Sequence, residues 1–176
     1  MSVQEQIAFT FKKISPQEVP QLVAWFKEPH VAQWWPAPGE DEKIIEHFLA
    51  RIRSKDTFGY LVFKNEFPLG YIQYYYIDRM NPKTGAWLPE GLLETTVGID
   101  QFIGDSQCLG KGYGTSFIKE FITYLRDLEP QITTVIVDPE LVNNAAIRCY
   151  EKVGFKKVGE YTTPWGSALL MRYDVR

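Results

Sequence analysis

Gln107-Cys108-Leu109-Gly110-Lys111-Gly112-Tyr113-Gly114 is the stretch of the chain that decides the fold. A phosphate group needs several backbone N–H groups that point one way, and the first turn of a helix offers such donors at its positive end. Because glycine has no side chain, nothing at these positions obstructs a ligand at that turn. The stretch therefore predicts a pyrophosphate-binding turn between a strand and a helix. A flexible loop that binds nothing is the plain alternative.

Two common glycine motifs do not describe this turn. The dinucleotide pattern GxGxxG requires glycine at position 115, where the chain has Thr115. The Walker pattern requires Lys-Ser or Lys-Thr after its second glycine, and Tyr113-Gly114 stands there instead. The ligand of the turn must be inferred from the rest of the chain.

Hydrophobic periodicity on both sides of the turn predicts the elements that hold it. Residues 115–128 have the apolar spacing of a helix that packs on a sheet, and residues 91–100 have strand character. Ser15-Pro16-Gln17-Glu18 is a capping box that begins a helix to about Lys27. The other predicted helices are 40–53 and 143–153, and the other predicted strands are 7–13, 60–63, 69–77, 132–137, 155–160 and 168–173. Residues 30–35 form an aromatic segment, and 78–90 read as a loop. This order predicts an α/β fold with a mixed sheet in a single domain, 1–176.

Composition excludes several classes of function. The 176 residues are 45% hydrophobic and carry a net charge of −3, without a basic stripe for nucleic acid or an apolar run long enough to cross a membrane. Two separate cysteines, Cys108 and Cys149, fit a reducing cytoplasm. His30 and His47 lie far apart, so we expect no metal site and read both as ordinary surface or helix-face residues. We expect a monomer or a homodimer.

Two motifs together resemble the GCN5-related N-acetyltransferase superfamily. One is the spacing of Gln107, Gly110 and Gly112 before an amphipathic helix. The other is the helix from Asn143 that carries Tyr150 and ends in Gly154-Phe155. The resemblance implies that superfamily's fold, with a central mixed, mostly antiparallel sheet flanked by helices. It also implies acetyl-CoA as co-substrate, without a metal. The implied cofactor-binding residues are Phe102, Ile103, Gln107, Leu109, Gly110, Lys111, Gly112, Tyr113, Gly114, Thr115 and Asn144.

A closer resemblance covers most of the chain. Its stretches are 30–35, 98–101, 107–115, 138–139, 146–154 and 162–164, and they are similar to the aminoglycoside 6'-N-acetyltransferases, which acylate a primary amine of an antibiotic. Siderophore-pathway acetyltransferases share the paired tryptophans and the Asp138-Pro139 step. The acceptor implied is a small cationic amine of an aminoglycoside, and acetylation of another amine or hydroxylamine is the alternative.

Asp100 and Tyr150 are the candidate catalytic residues that the resemblance implies. An alkyl ammonium with a pKa of about 10.4 must lose a proton before it attacks a thioester. Asp100, expected at the end of its strand, is the candidate base, or else it holds and orients the cation. Tyr150 is the candidate acid for the leaving thiolate, with core packing as its plain alternative. A strand N–H near Phe102 or Ile103 is expected to meet the acetyl oxygen.

The acceptor site implied by the resemblance consists of carboxylates and flat apolar walls. Its candidate residues are Asp100, Asp138, Trp34, Trp35 and Trp87, although a tryptophan more often packs in a core than binds a ligand. The chain departs from the family pattern in the long loop. Gly85 replaces an acidic residue, and Leu88-Pro89-Glu90 keeps one acid. Fewer carboxylates attract a polycation less strongly. A non-catalytic acyl-CoA-binding module is the third hypothesis, against which Asp100 and Tyr150 argue.

Overall fold

A computed structural model of the chain describes residues 7–77, 93–163 and 166–175. The strands are β1 Phe9–Lys13, β2 Thr57–Lys64, β3 Phe67–Tyr76, β4 Thr96–Ile103, β5 Thr134–Val137, β6 Lys156–Thr163 and β7 Gly166–Asp174. The helices are α1 Val19–Phe26, α2 Pro29–Ala32, α3 Asp41–Arg53, α4 Tyr113–Leu128 and α5 Asn144–Val153. Short 3₁₀ turns cover Pro16–Glu18, Leu93–Thr95 and Ser106–Cys108.

The strands are hydrogen-bonded in the order β1-β2-β3-β4-β5-β7-β6. β4 and β5 run parallel, whereas β1 with β2, β5 with β7, and β6 with β7 are antiparallel. This arrangement confirms the predicted mixed, mostly antiparallel sheet with flanking helices.

Contacts divide the described chain into two units. One takes its residues from Met1–Gln73 and Gln101–Lys111, the other from Tyr74–Asp100 and Gly112–Arg176. In the first unit, aromatic and aliphatic side chains of α1, α3 and the neighbouring strands form a core around Phe26, Phe48 and Tyr71, all at most 2% exposed. In the second unit, α4 buries one face, which consists of Phe117, Ile118, Phe121, Ile122 and Leu125.

The capping box predicted at Ser15 is present. The Glu18 carboxylate accepts from the Ser15 backbone N–H at 2.8 Å and from its hydroxyl at 2.6 Å, and Lys12 Nζ donates to the other carboxylate oxygen at 2.5 Å. The lysine contact, the largest cause, and the Ser15 bonds lower the pKa of Glu18 from 4.5 to about 2. The chain then runs through one 3₁₀ turn into α1, and Pro29 begins α2.

The prediction that Asp100 ends its strand is wrong. β4 continues to Ile103, and Gly104 N then donates to Leu69 O at 2.9 Å. The reason is burial of Phe102, which is 8% exposed and packs against the rings of Trp25 and Trp35. β6 likewise runs beyond the predicted end at 160, to Thr163. The loop 78–90, with Gly85 and Trp87, lies outside the described residues.

Candidate active site

The glycine turn reaches the first turn of α4 through Gly110 and Gly112. Both have left-handed backbones, with φ of 71° and 79°, and Gly112 is the residue that caps this 16-residue helix. Apart from the adjoining residues of the chain, no described atom lies within 4 Å of the position that a Cβ would take at either glycine. Ser116 N donates to Gly112 O at 3.2 Å, across the first turn of α4. The backbone N–H groups of residues 113–115 come before Ser116 in the chain, at the end of a helix where N–H groups have no acceptor within the helix. An open backbone at a positive helix end fits a pyrophosphate.

The residues that flank these glycines differ in their exposure to solvent. Gln107, Leu109 and Lys111 are exposed, and the Asp105 carboxylate accepts from Gln107 N at 2.9 Å. Tyr113, at the start of α4, is half-buried. The Asp105 carboxylate thus holds one end of the turn, and residues 109–112 in its middle are exposed.

Gly114 and Thr115, in the first turn of α4, lie against α5. Thr115 Oγ1 is 3.4 Å from Cys149 Sγ, and a Cβ at Gly114 would lie 3.5 Å from the same sulfur. Burial raises the pKa of the Cys149 thiol, so it stays protonated at neutral pH. The side chains at this point therefore serve packing between the helices, and the ligand-binding capacity of the turn lies in its backbone.

α5 begins with the two asparagines of the second motif. Asn143 caps the helix, with its side-chain oxygen accepting from Ala146 N at 3.1 Å, while Asn144 is exposed. Tyr150 is 6% exposed, and its ring packs edge-on against Phe155 with centroids 5.4 Å apart. The packing alternative for Tyr150 is thus realised, and its role as an acid stays a prediction.

His30 is bonded to the end of β4. A carbonyl oxygen only accepts, so His30 Nε2–H donates to Ile103 O, at 2.8 Å. Trp35 is half-buried and packs edge-on against Phe102, with centroids 5.2 Å apart, while Trp34 is half-buried. The motif of residues 30–35 thus supports the backbone of residues 102–103, where an acetyl-oxygen donor is expected. Reading His30 as an ordinary surface residue missed this contact, which its chain position does not reveal.

Asp100 and Asp138 belong to neighbouring parallel strands, Asp100 within β4 and Asp138 at the carboxyl end of β5. β4 and β5 are in register through Gly98 and Ile136. Asp100 and Asp138 are each two residues further on and therefore point to the same side of the sheet as that pair. Both are half-buried, and Asp138 directly follows β5, as predicted.

Two tyrosines complete this face in the second unit. The ring of Tyr75 lies directly against Gly98, where a Cβ would come within 2.4 Å of Tyr75 Cζ. Tyr161 donates a hydrogen bond from its hydroxyl to Asp138 Oδ2. Both rings pack on the buried cluster of Ile77, Ile136 and Leu170. We call Asp100, Asp138, Tyr75 and Tyr161 the Asp-Tyr face.

The electrostatics of the Asp-Tyr face favour a cationic ligand. Burial, and then the charges of Asp100 and Asp138, raise the pKa of Tyr75 well above its usual value, so its phenol stays neutral. Burial also raises the pKa of Asp138, against the lowering effect of the Tyr161 hydrogen bond. Two carboxyl groups in partly desolvated surroundings suit an ammonium group.

Sequence reasoning did not identify either tyrosine. Tyr75 lies in an aromatic run of a predicted strand, which indicates a strand without saying which ring meets Gly98. Tyr161 lies beyond the predicted end of its strand. A contact between strands distant in sequence leaves no local signal that singles out these residues.

Two kinds of feature are absent from the described part of the chain. Within residues 7–77, 93–163 and 166–175, no helix has both the length and the apolar character to span a membrane. Across the same ranges, no three His, Cys, Asp or Glu side chains form a group able to hold a metal ion.

The open glycine turn at the start of α4 fits the pyrophosphate of an acyl-CoA, and the Asp-Tyr face suits an ammonium group. Residues 15–163 match the family model described as "Acetyltransferase (GNAT) domain". The chain therefore belongs to the GNAT acetyltransferase family and is an acetyltransferase, as its motifs predicted.

Three individual proteins illustrate what this chain is similar to within and beyond that family model. The aminoglycoside N(6')-acetyltransferase type 1 of Klebsiella pneumoniae is 31% identical over 168 residues, which cover 92% of this chain and 81% of that protein. The structure of the aminoglycoside acetyltransferase AAC(6')-Ib in complex with coenzyme A and kanamycin superposes with a TM-score of 0.79 at 29% identity, covering 95% of each chain. The N(6)-hydroxylysine O-acetyltransferase of Escherichia coli is 23% identical over 156 residues, 88% of this chain and 48% of that protein.

Proposed function

We propose that this enzyme transfers the acetyl group of acetyl-CoA to a primary amine of an aminoglycoside, at the 6' position. The observation that carries the proposal is the Asp-Tyr face, where Asp100 and Asp138 share one side of the sheet in an acetyltransferase. The relative that binds kanamycin supports this acceptor, because kanamycin is a small molecule with several amines.

The acyl donor is assigned to the glycine turn. The backbone of residues 110–115 is to hold the pyrophosphate, together with Gln107, Leu109 and Asn144 at its edges. Left-handed Gly110 and Gly112 and the open space beside them support this assignment. An N–H of Phe102 or Ile103 is assigned to the acetyl oxygen, where it would stabilise developing negative charge. His30 supports that assignment by holding Ile103 through its carbonyl.

The reaction proposed is direct attack. The neutral amine nitrogen forms a bond to the thioester carbonyl carbon, the C–S bond breaks, and the sulfur leaves with the electron pair. Asp100 accepts the proton of the ammonium, directly or through water, or holds and orients the cation for attack. Tyr150 is assigned to protonate the departing thiolate, and the proton that the nitrogen loses on forming the amide restores the Tyr150 phenol through water.

The acceptor is assigned to Asp100 and Asp138, with Trp34, Trp35 and Trp87 as apolar walls. We further propose that residues 1–176 act as a single domain in the cytoplasm, as a monomer or a homodimer. A carboxylate pair in partly desolvated surroundings favours a cationic small molecule over an uncharged one.

The second candidate is acetylation of a hydroxylamine or another amine, such as a siderophore precursor. The relative named for N(6)-hydroxylysine and the thinned acidic loop after Trp87 favour it. Turnover of N(6)-hydroxylysine without turnover of aminoglycosides would select this candidate.

The test is release of free thiol from acetyl-CoA across a panel of kanamycin, other aminoglycosides, polyamines and N(6)-hydroxylysine. We expect turnover with aminoglycosides, and a fall in kcat of about 10²- to 10⁴-fold in Asp100→Asn, the range for loss of a general base or acid. Asp127→Asn, at an exposed aspartate of α4, is the matched control and is expected to keep full activity. Tight binding of acetyl-CoA with no acceptor and no effect of Asp100→Asn would instead indicate a non-catalytic binding module.

A further inference from the structure

Tyr161 is the one member of the Asp-Tyr face that comes from β6. Its hydroxyl donates to Asp138 Oδ2, and its ring packs on the cluster of Ile77, Ile136 and Leu170. A carboxylate has about four lone-pair positions, so this bond leaves acceptor capacity for a ligand.

A β-bulge places Tyr161 on this face. Lys157 pairs with Met171 and Gly159 pairs with Leu170, so Val158 is an extra residue in β6. After the bulge Tyr161 stands opposite Ala168. If Val158 were paired with Leu170 instead of bulged, Glu160 would stand opposite Ala168 and Tyr161 would point to the other side of the sheet.

The hydrogen bond has two effects on Asp138. It restricts rotation of the carboxyl group, which fixes the direction of the remaining lone pairs. It also lowers the pKa of Asp138, against the raising effect of burial. The other titratable groups of this cluster are Tyr75 on β3, Asp100 on β4 and Tyr150 on α5. An ionised Asp138 is required to attract an ammonium group.

We propose that Tyr161 is a positioning residue for acceptor recognition, which holds Asp138 in the orientation that receives a second ammonium group of the acceptor while Asp100 serves the reacting amine. The proposal rests on the proposed function and adds a specificity determinant to it. It implies that recognition of multiply charged amines depends on Tyr161 and that recognition of simple monoamines does not.

The experiment compares the wild type with Tyr161→Phe, which keeps the ring and loses the hydroxyl. KM and kcat are measured for kanamycin and for cyclohexylmethylamine, a primary amine with one charge. We expect KM for kanamycin to rise about tenfold, as for loss of a hydrogen bond to a charged group, with kcat and the monoamine KM unchanged within about twofold. Tyr124→Phe on α4 is the matched control.

The pH dependence gives a readout that a purely structural role would not move. Below the pKa of Asp138 the carboxyl group is neutral, so kcat/KM for kanamycin falls as pH falls. Loss of the Tyr161 hydroxyl raises that pKa and is expected to move this acid limb to higher pH. In an Asp138→Asn background, Tyr161→Phe is expected to have no further effect.

The outcomes separate this proposal from the proposed function. Turnover of kanamycin with the same KM and acid limb in Tyr161→Phe overturns the role of Tyr161 and leaves the proposed function standing. If no amine is turned over, the proposed function fails. The Asp138 pKa, from carbon-13 titration of its carboxyl group, and calorimetric binding of kanamycin then decide the proposal. The role of Tyr161 is overturned if Tyr161→Phe leaves either the Asp138 pKa or the affinity for kanamycin unchanged.

Discussion

Replacing Gly98 by alanine is expected to disturb the Asp-Tyr face through a single added methyl group. That methyl would lie 2.4 Å from Cζ, 2.5 Å from Cε2 and 2.6 Å from Oη of Tyr75. Carbon atoms in contact are ordinarily about 3.5–4.0 Å apart, so the ring must retreat by about 1 Å or more. Gly98 is not among the glycines with positive φ, so it is required for space and not for its backbone conformation.

The magnitude follows from what surrounds the ring. Tyr75 packs on Ile77, Ile136 and Leu170, which are at most 2% exposed and leave little space behind it. Overpacking costs about 1–3 kcal/mol, and loss of glycine flexibility in the unfolded chain returns about 0.4–1 kcal/mol. We expect Gly98→Ala to lower the free energy of unfolding by about 1–2 kcal/mol and to lower kcat/KM, because the displaced ring lies beside Asp100 and Asp138.

A double-mutant cycle with Tyr75→Leu tests this explanation. Leucine lacks the ring atoms that meet Gly98, so Gly98→Ala is expected to cost little in that background. The free energy of unfolding is measured by urea denaturation for the wild type, both single variants and the double variant. Effects that add to within about 0.5 kcal/mol would show that the two residues are not coupled and would refute the steric argument.

Three further changes test other parts of the molecule. Gly112→Ala places a side chain at φ of 79° and is expected to raise KM for acetyl-CoA and cost about 1 kcal/mol of stability; Gly166→Ala, at a glycine with φ of 143° that begins β7, is the control for the backbone cost. His30→Ala, which loses the bond to Ile103, is expected to lower the free energy of unfolding by about 1 kcal/mol, and His30→Gln, which keeps an N–H donor, by less; equal urea midpoints for the two would contradict this. Because the pKa of Glu18 is lowered from 4.5 to about 2, its stabilisation is present above pH 4.5 and is lost as pH falls toward 2. Glu18→Gln is therefore expected to be about 1–2 kcal/mol less stable than the wild type at pH 7 and equal to it near pH 2, by urea denaturation at each pH.

The amino-acid sequence predicted those features whose causes lie within a few residues of one another. The capping box joins Ser15 to Glu18 within one turn, and the apolar spacing of residues 115–128 marks α4 almost to its ends. The glycine turn is local in the same sense, since Gly112 is where the chain needs a left-handed backbone to enter α4. Two such motifs in order were enough to predict the family, and the family model confirms it.

The ends and faces of the strands were decided by partners distant in the sequence. β4 runs past Asp100 because Phe102 is buried among rings of other elements. The strand predicted to end at residue 160 did not include Tyr161. The side of the sheet on which Tyr161 lies depends on the bulge in β6, where one extra residue interrupts the pairing with β7. A strand has a period of two, so a shift of one residue exchanges its two faces, and only the pairing itself selects between them. The sequence by itself determined the family, the glycine turn and the helix that follows it. Tertiary structure decided that Asp138 has a tyrosine beside it and that Tyr75 lies over Gly98, because both contacts join strands far apart in the chain.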